Sequence, residues 1–94
     1  MINIVAFITP KTKDYEKCKK KIIDILSITR AEDGCTRFEI YEDEITQQLV
    51  LVEAFSDQKA LDEHYAKPYV LPIFEFYKTA LQREPEIHKL SLVS

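Results

Sequence analysis

The stretch VEAFSDQKALDEHYAKPY, Val52 to Tyr69, decides how this chain is read. An apolar, strand-like run ends at Glu53-Ala54-Phe55. Ser56 follows as a candidate helix cap, its hydroxyl oxygen able to accept from an orphan backbone N–H. A helical segment then runs from about Asp57 to Ala66, until Pro68 interrupts it. Ala60 and Leu61 lie four and three residues before His64, so His64 shares their apolar side and faces inward. Strand, turn and helix in this order dock a helix onto a sheet. The same order gathers Glu53, Phe55, His64 and Tyr69, which either line a chemical pocket or only pack.

Working outward, Gln48 to Phe55 is a strand, and Cys35 to Glu42 before it alternates. DEIT turns between them, which predicts a hairpin. Ile2 to Thr9, β-branched and aromatic, is another strand. From about Asp14 to Glu32, Tyr15, Cys18, Ile22, Ile25, Leu26 and Thr29 recur at helical spacing. Thr12 or Asp14 can cap that helix. Gly34, the single glycine, suits a left-handed residue closing it. A further helix from about Tyr69 to Leu81 carries the stripe Val70, Ile73, Phe74, Tyr77 and Leu81, and Ile87 to Val93 is a last strand. The order is β-α-β-β-α-β with the second helix split: an α+β, ferredoxin-like fold with a four-stranded antiparallel sheet.

With 94 residues the chain is expected to form one domain, 1–94. A chain of this size buries about 60% of its unfolded surface, yet 46% of its residues are hydrophobic, with 5 Tyr and 5 Phe. The strands are apolar on both faces: Ile2, Ile4, Ala6 and Ile8 against Val5 and Phe7, and Leu49, Leu51 and Phe55, with Glu53, against Val50, Val52 and Ala54. Helices cover one face, so a homodimer through the other is expected. The net charge of -3 gives no pull toward nucleic acid. No apolar run is long enough to span a membrane. No basic segment precedes the first apolar run, so no signal peptide is expected and the expected compartment is the cytoplasm. Cys18 and Cys35 are read as two free thiols.

Four residues carry candidate chemistry in the central stretch. His64 is an acid or base that changes charge near neutral pH, or a hydrogen-bonded core histidine. Glu53 ends an apolar row, where a carboxylate is costly unless partnered or bordering a pocket. Phe55 shares its face, and Tyr69 can bring a hydroxyl to a pocket or to solvent. Phe74, from the next stripe, is a candidate pocket wall. His88 is a second inward candidate. No metal-ligand spacing is present, and one glycine cannot make a phosphate loop.

AEDGCTRFEIYED, Ala31 to Asp43, and VEAFSDQKALDEHYAKPY resemble the segments of the antibiotic biosynthesis monooxygenase domain, a dimeric α/β barrel of ferredoxin-like type. The resemblance implies a homodimer with a pocket between sheet and helices. Some members of that family oxygenate quinols or anthrone-like phenols without metal or flavin, so the resemblance implies cofactor-free oxygenation of a quinol, anthrone-like or other small electron-rich substrate. Glu53 and His64 match the Glu and His of the pattern. Phe55 stands where many members have Trp, and Tyr69 where many have a second His. The expected roles are His64 as base and Tyr69 as hydrogen-bond donor to an anionic oxygen, with Glu53, Phe55 and Phe74 contacting substrate. Two alternatives stay open. One is an isomerase of a small carbonyl compound, phosphorylated or not. The other is a non-catalytic dimeric ligand-binding or stress-response module.

Overall fold

Strand β1 (Ile2–Ile8) alternates its side chains between two environments, and this sets the layers of the fold. Ile4, Ala6 and Ile8 are buried beneath helices, while Val5 and Phe7 are half-buried on the opposite face. A computed structural model describes residues 1–94. After β1 come a 3-10 turn at Thr12–Asp14, α1 (Tyr15–Asp24), α2 (Leu26–Arg30), β2 (Cys35–Asp43) and β3 (Gln48–Phe55). Then follow α3 (Gln58–Tyr65), α4 (Leu71–Ala80) and β4 (Glu86–Leu90). The sheet order is β2-β3-β1-β4 with every pairing antiparallel, so the expected ferredoxin-like α+β topology is present. No helix is long and apolar enough to cross a membrane.

The helices differ from the periodic reading in ways with local causes. The first helical stretch is two helices, because Ile25 leaves helical geometry (φ -101°, ψ 1°). No glycine or proline marks that break. The turn lets Ile22 and Thr29 both reach the core. Neither Thr12 nor Asp14 caps a helix through its side chain. At α3 the cap is Asp57, not Ser56: its carboxylate accepts from the Ala60 N–H at 2.8 Å. Gly34 has no positive φ, so it is not a left-handed closure. It is glycine for space, since a Cβ there would stand 2.2 Å from the Cβ of Ala60. The last strand stops at Leu90. Cys18 and Cys35 form no disulfide.

The core beneath the helices comes in two clusters. The larger includes Ala6, Ile8, Tyr15, Cys18, Ile22, Leu49 and Leu51 with residues of α4. The smaller is Ile4, Phe55 and Leu61. On the inward face of β3 the row runs Leu49, Leu51, Glu53, Phe55, so a carboxylate lies between the two clusters. The outer face of the sheet carries Val5, Phe7, Val50 and Val52, all half-buried in the single chain. At its β2 edge Arg37 pairs with Glu39 at 2.6 Å, and at its β4 edge His88 pairs with Glu86 at 2.7 Å. His88 opposes Val5, so it lies on this outer face, half exposed and edge-on to Phe7. It is not the inward residue expected, because β4 enters the sheet in the register that turns His88 away from the helices.

Candidate active site

The site is assembled from three segments distant in sequence. α3 is pinned at its start by the Asp57 cap and docked by Leu61, which is fully buried. One turn later the same stripe brings His64 inward, 3% exposed. The loop after α2 is closed by two backbone bonds, Glu32 N–H to Thr29 O and Cys35 N–H to Glu32 O, each 3.0 Å. This loop aims the Glu32 side chain at α3. His64 Nδ1 then lies 2.9 Å from Glu32 Oε2. A carboxylate accepts, so Nδ1 carries a proton, and in the neutral ring Nε2 keeps its lone pair. Tyr69, in the turn between α3 and α4, donates its hydroxyl to the same Glu32 oxygen. Burial and this bond raise the Tyr69 phenol well above its ordinary value.

The imidazole is fixed from its faces as well. The ring of Phe55 lies 5.0 Å from that of His64, and Phe38 lies 5.7 Å away. Aromatic packing of this kind restricts the ring that the carboxylate orients.

In front of His64 is a cavity of about 40 Å³ between the sheet and the helices. It is lined chiefly by apolar side chains, among them Phe38, Phe74 and Tyr77, together with His64, Glu53 and Tyr65. A space of this size holds about three water molecules. Phe74, Tyr77, Pro85 and Ile87 also line a larger groove outside, so the cavity adjoins the surface between α4 and β4.

Glu53 is 5% exposed, and its Oε1 has no hydrogen-bond partner. Desolvation alone pushes its carboxyl up from 4.5 to about 7, with no compensating cation. The same burial raises Tyr65 to about 12, the nearby Glu53 adding to it, and raises Tyr77 further. No group of three His, Cys, Asp or Glu side chains is placed to hold a metal.

Of the five candidate residues, His64, Glu53 and Phe74 share the cavity. Tyr69 does not line it, because its hydroxyl is spent on Glu32. Phe55 does not line it either: it is fully buried behind the imidazole it packs against. Glu32 escaped the sequence reading, as did Tyr65 and Tyr77 at the cavity wall. A signal for Glu32 was available: an acidic residue at a helix-to-strand turn, in the quoted AEDGC segment. Its partner could not be named without the tertiary fold.

The sequence profile described as antibiotic biosynthesis monooxygenase matches residues 1–75, a span that contains Glu32, Glu53, His64, Tyr69 and Phe74. Rv0793 of Mycobacterium tuberculosis is 34% identical over 71 residues, 74% of this chain and 69% of that protein. Its solved structure superposes with a TM-score of 0.92 at 27% identity, covering 99% of this chain and 95% of its own. PA3566 from Pseudomonas aeruginosa gives 0.90 at 21% identity over 99% and 94% of the two chains, a likeness of fold. By profile, sequence and fold together, this chain belongs to the antibiotic biosynthesis monooxygenase family.

Proposed function

We propose that the protein is a cofactor-independent monooxygenase acting on a small, electron-rich phenol, quinol or anthrone-like substrate, with His64 as its base. The observation that carries this reading is the Glu32–His64 pair: the carboxylate holds Nδ1, and His64 lines an apolar cavity. A base so oriented takes a proton from an acidic hydroxyl or activated methylene. Dry surroundings then hold the anion beside O₂. The substrate supplies the electrons. An anthrone-type CH₂ group and O₂ become a C=O group and water, and a phenol or quinol with O₂ becomes a quinone bearing one more oxygen and water, so no external reductant enters.

Tyr69 acts here through Glu32, and Phe55 through the imidazole it packs. Phe74 is the wall a substrate meets, and an aromatic compound enters as Phe74, half-buried, moves aside. The working unit is a homodimer joined through the outer sheet faces, which removes Val5, Phe7, Val50 and Val52 from water. Two unpaired thiols suit a reducing cytoplasm.

The small cavity favours a second reading, a non-catalytic dimeric module that holds a small apolar ligand. The isomerase alternative in its phosphorylated form has less support, because no lysine or arginine lines the cavity. Oxygen uptake decides between catalysis and binding. Wild-type protein mixed with quinols and anthrones is expected to consume O₂ faster than buffer, and His64→Ala is expected to lose that excess. Equal rates for wild type, His64→Ala and buffer would remove the oxygenase reading for those substrates.

A further inference from the structure

Resting on the reading of this cavity as the binding site, we infer that Glu53 enters it as an uncharged carboxylic acid that donates a hydrogen bond to the ligand. The site therefore selects neutral molecules bearing a hydroxyl or carbonyl oxygen over anionic ones. Glu53 sits at the gap between the two core clusters, almost fully buried, with Oε1 unpartnered and its side chain on the cavity wall. A buried polar atom left without a partner in a native fold calls for an occupant. The cavity supplies the room for one, and His64 supplies a second polar group on the same wall.

The chemistry of the surroundings fixes the charge of that occupant. The titratable groups around Glu53 are His64 and Tyr65 from α3, Tyr77 from α4, and Cys35 and Arg37 from β2, Arg37 lying in the outer groove that Glu53 also borders and being paired there with Glu39. No lysine or arginine lines the cavity from any element. Lys89 of β4 turns its ammonium to Gln58, 2.9 Å away, and Arg30 donates to the Phe38 carbonyl outside. An anionic ligand would bury a negative charge with no lysine or arginine beside it, a costly state. A neutral oxygenated ligand accepts from the Glu53 hydroxyl and offers its own proton to His64. Desolvation raises the Glu53 carboxyl to about 7, so the donor is present below neutral pH and is lost as pH climbs through about 7.

The test measures binding without turnover, by calorimetry, with p-cresol as the neutral probe and 4-hydroxybenzoate as its anionic analogue of similar size. Wild type should bind p-cresol more tightly than 4-hydroxybenzoate. Between about pH 6 and about pH 8.5 its affinity for p-cresol should fall roughly tenfold as Glu53 ionises, the probe itself staying neutral. Glu53→Gln keeps the shape and a donor but cannot ionise, so its affinity should not fall over that range. The inference is overturned if p-cresol binds no more tightly than 4-hydroxybenzoate. It is equally overturned if wild-type affinity does not fall as pH rises, or if the same fall persists in Glu53→Gln. Oxygen uptake that fails while pH-dependent p-cresol binding survives would remove the oxygenase reading and leave this one standing.

Discussion

Glu32 and His64, 32 positions apart in the chain, meet at 2.9 Å through a carboxylate oxygen and Nδ1. Tyr69 donates to the same carboxylate. The Glu32 and His64 side chains are each less than a tenth exposed. Glu32→Ala would leave an imidazole N–H and a phenol without their acceptor, at a cost of about 1–3 kcal/mol. Tyr69→Phe removes one donor only, for about 1 kcal/mol. Urea denaturation of both variants should give the larger loss for Glu32→Ala. Wild-type stability in that variant would show that the pair holds nothing.

A second prediction concerns pH. Burial raises the Glu53 carboxyl from 4.5 to about 7, so the folded chain keeps a proton that the unfolded chain has released. Its contribution to stability is fully present below about pH 4.5 and is lost as pH climbs through about 7. At about 1.4 kcal/mol per pH unit, the loss approaches about 3 kcal/mol as an upper bound. Glu53→Gln should therefore gain on wild type across this window and hold a constant advantage above it. Glu42, held low first by the Tyr15 hydroxyl and then by Lys19, and Asp43, held low first by the Thr46 N–H, act with the opposite sign in more acidic solution. Both are present in either protein and cancel in the comparison. Denaturation midpoints measured against pH check this, and parallel curves for the two proteins would contradict it.

The contact between Gly34 and α3 gives a third. A Cβ at Gly34 would stand 2.2 Å from the Ala60 Cβ and 3.1 Å from the Ser56 Oγ. Overpacking of this kind costs about 1–3 kcal/mol. Gly34→Ala should lose stability in that range. Ala60→Gly alone should cost about 1 kcal/mol as a helical glycine. Combined, the two should cost less than their sum, because the second relieves the first. Strict additivity in a denaturation cycle would refute the steric account.

The outer sheet face gives the fourth. Val5, Phe7, Val50 and Val52 form one apolar surface flanked by the Arg37–Glu39 and His88–Glu86 pairs. Wild type should sediment as a pair of 11.0 kDa chains. Val52→Lys, placing a charge at the centre of that face, should sediment as single chains. A stable wild-type monomer at working concentration would sink the pairing.

The sequence was most legible where one residue's period matched one element's geometry. Alternation in Ile2–Ile8 and Gln48–Phe55 identified strands apolar on both faces, and Pro68 marked the split between α3 and α4. Asp57 took the cap from Ser56 because neighbouring polar side chains compete for the same N–H, and loop geometry chooses between them. Gly34 misled in the same way. Glycine serves both positive φ and close approach, and only the position of Ala60 shows which is in use.

Local pattern by itself determined the order of strands and helices, the inward turn of His64 and the anomaly of a carboxylate in the apolar row at Glu53. These follow from periods of two and of about 3.6 residues, which a chain carries in its own sequence. The tertiary structure alone decided that Glu32 orients His64, that Tyr69 serves Glu32 instead of the cavity, and that Phe55 stands behind the imidazole. It also decided that the Glu53 oxygen meets no partner. The physical reason is common to all four. A hydrogen bond reaches about 3 Å, and sequence separation carries no information on that scale until the sheet register and helix docking have fixed where each segment lies.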